Sequence, residues 1–227
     1  MKPQKTKPKD NRRQVLIVDD HPIMRQGLCQ LIDNEPDLAV CGEAENARQA
    51  VEAAQNLKPE LVLVDITLPD KDGLELIKDL HALHPALPLL VLSMHDEALY
   101  AERVLRAGGR GYIMKQEGGK KLMQAIRQVL GGGIYVSEKM SATILEMFSG
   151  RRPESNESPM GRLSDREFEV FQQIGQGRGT REIASQLHLS VKTVEAHRAN
   201  IKRKLNLRSA PELVRAAVRW TESRHLP

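Results

Sequence analysis

Five short apolar runs in the first half of the chain alternate with segments whose apolar residues recur at helical intervals. The runs occupy residues 15–18, 38–41, 61–64, 88–92 and 111–114. Because each run is apolar throughout, we predict buried strands of a parallel sheet that is covered by helices on both faces. Sheets of this kind bind ligands beyond the carboxyl ends of their strands. The residues that follow the runs are therefore the first place to look for chemistry.

Composition changes along the chain indicate two domains with a tail and a linker. Residues 1–13 are rich in Lys and Arg without an apolar stretch, so we predict a disordered basic tail. The predicted α/β domain covers residues 14–131. Residues 132–161 begin with glycines and are rich in Ser, Pro and Arg further on, which predicts a linker with a short helix near 137–148.

The predicted second domain covers residues 162–227 and is all-helical. Ser164 and Glu167 have the spacing of a capping box at the start of its first helix. Further helices are predicted near residues 180–187, 191–205 and 211–220.

Charge is distributed unevenly within the formal total of +4. Acidic residues outnumber Lys and Arg between residues 15 and 130, whereas the second domain is basic. A basic module beside an acidic one is typical of a polyanion-binding unit attached to another domain. The longest apolar run is too short for a membrane span, so no membrane partner is expected, and the two cysteines favour a reducing, cytoplasmic location.

Polar residues follow the first, third, fourth and fifth predicted strands. Asp19 and Asp20 come after the first strand, Asp65 after the third, Ser93 at the end of the fourth and Lys115 after the fifth. Carboxylates this close repel one another unless a proton or a hard cation is present, and Mg²⁺ prefers such oxygen ligands. A carboxylate nucleophile, a metal site, a hydroxyl and an ammonium together predict a site that handles a phosphoryl group.

Four motifs resemble those of receiver domains. They are Val-Asp-Asp at 18–20, Asp-Ile-Thr-Leu-Pro-Asp-Lys-Asp-Gly at 65–73, Leu-Ser-Met at 92–94 and Gly-Tyr-Ile-Met-Lys at 111–115. The resemblance implies a flavodoxin-like α/β fold whose five-stranded parallel sheet has the order 2-1-3-4-5.

The same resemblance implies a role for each polar residue. Asp65 would accept a phosphoryl group from a sensor histidine kinase, and Ser93 and Lys115 would contact its oxygens. Ser93 and Tyr112 would form the switch, with Tyr112 turning inward. Thr67 and His95 would flank the phosphoryl group and tune its lifetime, although His95 is equally open to a plain surface role. The implied Mg²⁺ ligands are Asp19, Asp20, Asp65 and the backbone carbonyl of Thr67.

The second domain contains helix-turn-helix spacing. Ser190 is the predicted N-cap of a helix on which Val194, Ile201 and Leu205 share one face. The opposite face places small residues between cations, which suits insertion into the major groove of double-stranded DNA. Its members are Lys192, Ala196, Ala199 and Arg203.

This domain resembles the four-helix DNA-binding domain of the NarL/FixJ or LuxR class. The resemblance rests on Leu-Ser-Asp-Arg-Glu at 163–167 and Thr-Val-Glu-Ala-His at 193–197. It implies base contacts at Glu195, Ala196, Ala199 and Asn200. It implies phosphate contacts at Lys192, Thr193, Lys202 and Arg203, whereas His197 is expected to be structural.

These features predict a response regulator in which phosphorylation releases the helix-turn-helix domain and dimerises it on promoter DNA. The chain is not expected to be an enzyme beyond its own phosphoryl transfer and autodephosphorylation. One alternative is a Mg²⁺-dependent phosphatase or phosphotransferase with an aspartyl nucleophile; Thr67, where such enzymes carry a second acid, argues against it. The other is a degenerate receiver that answers a ligand, which the complete set of polar residues disfavours.

Overall fold

The computed structural model describes residues 12–142, 162–187 and 189–222. It divides into two compact units, Met1–Ser141 and Ala142–Pro227. Residues 1–11 of the predicted tail and residues 143–161 of the predicted linker lie outside the described residues. Within the described ranges, no helix combines the length and apolar character needed to cross a membrane.

The first unit contains a five-stranded parallel sheet in the order β2-β1-β3-β4-β5, as expected. Its strands are β1 Arg13–Val18, β2 Leu38–Ala44, β3 Leu61–Val64, β4 Leu89–Ser93 and β5 Gly111–Met114. Strand β2 runs beyond the predicted residue 41 because it keeps pairing with β1 after a register shift between Val15 and Leu16. The extension includes Glu43, so the apolar run alone understated its length.

Five helices connect and cover the strands. They are α1 Pro22–Asp33, α2 Ala47–Leu57, α3 Gly73–Leu83, α4 Glu97–Arg106 and α5 Gly119–Leu130. Side-chain caps define three of the starts, because Asn46, Asp72 and Asp96 each accept a hydrogen bond from a backbone amide in the first turn of the helix that follows. The loops before these helices are thereby held close to the strand ends.

A continuous apolar core lies between the sheet and the helices α1 and α5. Val15, Ile17 and Leu63 from the strands pack with Leu28 of α1 and Ile126 of α5, and all are buried. Strand β3 is buried along its whole length, as its run of apolar residues predicts for a central parallel strand. The rigid sheet thus carries the polar residues at its carboxyl edge.

The chain returns to the sheet after α5. The amide of Tyr112 donates to the carbonyl of Tyr135 at 2.8 Å, and the amide of Tyr135 donates to the carbonyl of Arg110 at 3.0 Å. The amide of Ser137 donates to the buried carboxylate of Glu97 at 2.7 Å, and residues 138–142 are helical. This stretch, predicted as linker, therefore packs against β5 and α4.

In its described part, the second unit is all-helical. Its helices are α6 Asp165–Gly175, α7 Thr180–Gln186, α8 Val191–Lys204 and α9 Ala210–Glu222. The rings of Phe168 and Phe171 pack edge-on against Trp220, at centroid distances of 5.3 and 5.8 Å. Val194 and Ile201 of α8 are fully buried. The four-helix architecture is the one expected.

Glu167 joins the start of α6 to the end of α8. Its Oε2 accepts from the amide of Ser164 at 2.8 Å and from Nζ of Lys204 at 2.6 Å, and the Ser164 hydroxyl accepts from the Glu167 amide at 3.3 Å. Burial acts to raise the pKa of Glu167, but the hydrogen bonds from Lys204 and Ser164 outweigh it and hold the pKa below its ordinary value. The ionised form therefore stabilises the folded unit.

We expect Glu167→Gln to reduce the stability of the second unit by about 1 kcal/mol at pH 7, because it removes the charge that Lys204 meets. The loss should shrink as the pH falls through the lowered pKa of Glu167, since the wild-type carboxylate is then protonated too. Fluorescence of Trp220, the single tryptophan, reports unfolding of this unit. Glu222→Gln, at the exposed end of α9, is the control. A deficit that is the same at every pH would contradict this account.

Candidate functional site

Three strand ends place Asp19, Asp65 and Lys115 in contact. The Nζ atom of Lys115 lies 2.7 Å from Oδ2 of Asp19 and 2.8 Å from Oδ2 of Asp65, and all three side chains are almost fully buried. Asp20 is more exposed, at 18% of its side-chain surface. Asp19, Asp20, His21 and Asp65 each offer a ligand atom within 4.8 Å of the others. The structure thus brings together four of the residues predicted for the site, Asp19, Asp20, Asp65 and Lys115.

The ionisation of this cluster is a balance between burial and charge. Burial raises the pKa of Asp65 to about 6, while Lys115 acts to lower it and Asp19 adds to the rise. Burial acts to lower the pKa of Lys115, but Asp65 and Asp19 outweigh it and raise that pKa. Lys115 therefore stays charged near neutral pH and keeps Asp65 available as an anion.

The donor set fits a hard divalent cation. Oδ1 of Asp20 is buried and, among the described residues, accepts no hydrogen bond, although Nδ1 of His21 lies 2.6 Å away. Carboxylate oxygens at this spacing match the ligands and partial hydration that Mg²⁺ prefers. Thr67 lies in the loop directly after Asp65, where its amide donates to Oδ1 of Asp65 at 3.2 Å. Its backbone carbonyl remains a predicted ligand.

His95 links Ser93, Tyr112 and Thr67 at the end of β4. Its amide donates to the hydroxyl of the fully buried Ser93 at 3.1 Å, and its carbonyl accepts from the Tyr112 hydroxyl at 2.8 Å. Its ring Nε2 lies 3.3 Å from Oγ1 of Thr67, and the ring stacks on Tyr100 at 4.9 Å. Tyr112 is only 1% exposed, so it already occupies the inward position that was expected after switching.

The pKa of His95 is lowered by burial and, to a smaller extent, by the charge of Lys115. The imidazole is therefore neutral near pH 7 and presents one donor and one acceptor. The sequence left His95 open between a site role and a surface role, and its stacked, hydrogen-bonded ring lies beside the predicted site.

The loop that carries Asp65 is anchored from outside the site. The carboxylate of Asp70 accepts from the amides of Ala47 and Arg48 at 2.9 and 3.2 Å, which ties the loop to the start of α2. Gly73 begins α3 so close to the loop that a Cβ there would lie 2.6 Å from the carbonyl oxygen of Asp65. Only glycine permits this approach.

Sequence reasoning missed Arg25, whose guanidinium reaches the site from α1. Its Nη1 donates to the backbone carbonyl of Asp19 at 2.7 Å, and its Nη2 donates to Oε1 of Glu45 at 3.0 Å. A single arginine in an amphipathic helix carries no local signal of such a contact. Only the position of α1 against β1 reveals it.

The predicted recognition helix, α8, shows the expected division of its faces. The Ser190 hydroxyl accepts from the Thr193 amide at 3.0 Å, as expected of the N-cap, and Val194 and Ile201 face inward. Exposed side chains form the opposite face, and Nη2 of Arg203 donates to Oδ1 of Asn200 at 3.2 Å. The exposed members are Lys192, Glu195, Ala196, Ala199 and Arg203, whereas Thr193, Asn200 and Lys202 are half-buried.

Two further observations concern His197 of α8 and the turn that precedes this helix. Burial lowers the pKa of the half-buried His197, as suits the structural role expected of it. Arg166 of α6 donates to the carbonyl of Leu187 at 2.8 Å. It thus supplies a hydrogen bond to a carbonyl at the end of α7, where carbonyl groups have no partner within the helix. The end of α7, just before the turn to α8, is thereby fixed within the unit.

Comparisons with known proteins agree with both units. The model of the response regulator receiver domain matches residues 15–127, and the model of the luxR family of bacterial regulatory proteins matches residues 161–217. The oxygen regulatory protein NreC of Staphylococcus carnosus is 34% identical over 209 residues, which are 90% of this chain and 96% of that protein. The transcriptional regulatory protein DegU of Brevibacillus brevis is 31% identical and covers 95% of this chain and 98% of its own.

Solved structures of response regulators are similar to this chain as well. RcsB from Salmonella enterica serovar Typhimurium, bound to promoter rprA with the phosphomimetic BeF3-, has a TM-score of 0.59 and 27% identity. That match covers 90% of this chain and 98% of the solved one. A LuxR-family two-component response regulator from Aurantimonas sp. SI85-9A1 is 32% identical with a TM-score of 0.56. It covers 61% of this chain and 99% of the solved one.

We expect Lys115→Met to raise the pKa of Asp65 above about 6, because the buried carboxylate loses its cation and keeps Asp19 as a neighbour. Carboxyl carbon shifts of Asp65, followed by NMR against pH with a chelator present, measure this pKa. Lys121→Met is the control, since that exposed lysine pairs with Glu117 at 3.1 Å. An unchanged or lowered pKa in Lys115→Met would show that the ammonium does not govern Asp65.

Proposed function

The chain belongs to the response regulators that join a receiver domain to a LuxR-type DNA-binding domain, and we propose that phosphorylation of Asp65 controls its binding to promoter DNA. The observation that carries the assignment of Asp65 is the position of Lys115 between its carboxylate and that of Asp19. One buried ammonium keeps a nucleophilic carboxylate ionised beside a set of metal ligands. This is the arrangement that accepting a phosphoryl group requires.

The proposed transfer proceeds from a phosphohistidine of a sensor histidine kinase to Asp65. A carboxylate oxygen of Asp65 bonds to phosphorus as the phosphorus–nitrogen bond breaks, and the imidazole of the donor leaves and regains a proton. Bound Mg²⁺ supplies positive charge for the phosphoryl oxygens. Asp19, Asp20, Asp65 and the Thr67 carbonyl would hold it. After the transfer, the ammonium group of Lys115 would remain close to the phosphoryl oxygens.

The proposed switch runs through Ser93 and His95. When the Ser93 hydroxyl turns to donate to a phosphoryl oxygen, it gives up its contact with the His95 amide. The carbonyl of His95 accepts a hydrogen bond from the hydroxyl of Tyr112. A shift of this loop therefore changes the surface around α4 and β5, which is a population shift between two packings.

The chemistry that we propose is limited to the protein's own phosphoryl group. The chain is a regulator with a DNA-binding domain and not a classical enzyme. We propose that it gains the phosphoryl group from its kinase and loses it by autodephosphorylation, with Thr67 and His95 beside the group tuning its lifetime.

For the DNA-binding domain we propose that α8 enters the major groove of a half-site and that two subunits bind an inverted repeat. The predicted base contacts are Glu195, Ala196, Ala199 and Asn200. The predicted phosphate contacts are Lys192, Thr193, Lys202 and Arg203. Exposed cations at both ends of the face suit contacts with the phosphates on either rim. A related structure describes two RcsB dimers bound to two parallel DNAs.

We expect Mg²⁺ with beryllofluoride, a stable mimic of the phosphoryl group, to shift the wild-type protein toward dimer and to tighten promoter DNA binding by about tenfold or more. Asp65→Ala should show neither effect because it has no carboxylate to modify. Light scattering measures the mass, and fluorescence anisotropy measures the affinity.

Glu52→Ala, on the exposed face of α2, is the matched control, because it also removes a carboxylate from the receiver, and it should respond like the wild type. If wild type and Asp65→Ala bind DNA equally tightly with and without beryllofluoride, phosphorylation of Asp65 does not control the protein. The receiver would then answer another ligand.

We expect the double variant Lys192→Ala and Arg203→Ala to weaken DNA binding for every sequence and to flatten the slope of log affinity against log salt by about two units. Each Lys or Arg that contacts a phosphate displaces about one counterion and so adds about one unit of slope, which is lost when the contact is removed. The control is Arg48→Ala with Lys58→Ala, two exposed cations of the receiver. An unchanged slope in the first double variant would remove these two residues from the phosphate contacts.

A further inference from the structure

Arg25 of α1 is a buried cation that the phosphoryl-transfer chemistry does not use. It is only 8% exposed, and its guanidinium meets three groups from three parts of the chain. Nη1 donates to the carbonyl oxygen of Asp19 at 2.7 Å, Nη2 donates to Oε1 of Glu45 at 3.0 Å, and Nε lies 3.4 Å from Oε2 of Glu43. A planar guanidinium suits such a fork, because its donors are fixed in one plane.

The contact with Asp19 falls where β1 ends and the acidic loop begins. The amide of Asp19 donates to the carbonyl of Ala44, the last residue of β2, at 3.1 Å. With Arg25 on its carbonyl, Asp19 is therefore held through both of its backbone polar groups. Its Oδ1 accepts from the amide of His21 at 2.8 Å, which leaves the carboxylate little rotational freedom. The direction of the next peptide, which carries Asp20, depends on the same carbonyl.

The positive charge of Arg25 is unfavourable beside a site that binds a metal cation. A cation next to a divalent metal site repels the metal, and burial strengthens that repulsion. Glu43 and Glu45 offset the charge from the exposed side. An electrostatic role and a positioning role therefore predict opposite effects on Mg²⁺ affinity when the cation is removed.

We propose that Arg25 is a positioning residue that holds the backbone of Asp19 and Asp20 in the geometry that binds Mg²⁺. The proposal rests on the proposed function, which assigns Mg²⁺ to these carboxylates. It assigns Arg25 no contact with the metal or the phosphoryl group. Outer residues that orient metal ligands commonly change metal affinity by about 10- to 100-fold when they are replaced.

The test is a Mg²⁺ titration of the full-length protein followed by the amide NMR shifts of the acidic loop. We expect Arg25→Met to weaken Mg²⁺ binding by about tenfold, although it removes a repelling charge. Arg25→Lys keeps the charge but loses the fork, so we expect an intermediate loss. The same spectra report whether each variant is folded.

Arg127→Met is the matched control. Arg127 also joins two carboxylates, because it donates to Glu35 at 2.5 Å and to Asp37 at 2.6 Å. It lies near the end of α5 and Asp37 directly precedes β2, so this ion pair sits at the opposite edge of the sheet from the acidic loop. Because this ion pair is more exposed than Arg25, we expect Arg127→Met to lose less thermal stability than Arg25→Met, with unchanged Mg²⁺ affinity.

The outcomes separate this inference from the proposed function. Tighter or equal Mg²⁺ binding in Arg25→Met would overturn the positioning role while leaving the Mg²⁺ site intact. Equal weakening in Arg25→Met and Arg127→Met would overturn it too, because general destabilisation would then be the cause. If Mg²⁺ fails to shift the wild-type loop, the metal site itself is wrong and the inference falls with it.

Discussion

The ammonium group of Lys115 lies between the carboxylates of Asp19 and Asp65, and the strand order of the receiver is what brings these three groups together. Asp19 and Asp65 follow neighbouring strands, whereas Lys115 follows β5, on the far side of β4 from β3. Two buried carboxylates without a cation would take up a proton, and a buried lysine without an anion would lose one. The side-by-side order of the strands brings the three groups together, so that the ammonium and the carboxylates stabilise one another's charged forms.

Contacts at a distance from the chemistry keep these groups in place. Arg25 holds the carbonyl of Asp19, Asp70 ties the loop of Asp65 to α2, and Gly73 allows α3 to begin against that loop. On the other side of the site, His95 joins Ser93 and Tyr112 directly before α4. The first residue of that helix, Glu97, binds the amide of Ser137 after the chain has returned along β5. The site is thus connected to the start of the predicted linker through one short loop.

Local pattern was sufficient for much of this structure. Apolar runs located the strands, and the capping box of Ser164 and Glu167 located the start of α6. Receiver motifs identified the residues that meet at the carboxyl edge. The prediction ended β2 too early, because its later residues are polar on one face and pair only after a register shift. It also assigned residues 133–137 to a linker, since one bridge at Tyr135 leaves no periodicity in the sequence.

The sequence by itself determined the family, the strand order implied by that family, and the residue types at each strand end. These depend on short-range periodicity and on the order of motifs along the chain, and both are readable without coordinates. Tertiary structure alone decided that Tyr112 points inward, that His95 is stacked and bridged to Thr67, and that Arg25 reaches the carbonyl of Asp19. Each of these depends on the distance and angle between separate elements, because a hydrogen bond forms only within a few tenths of an ångström of its ideal length.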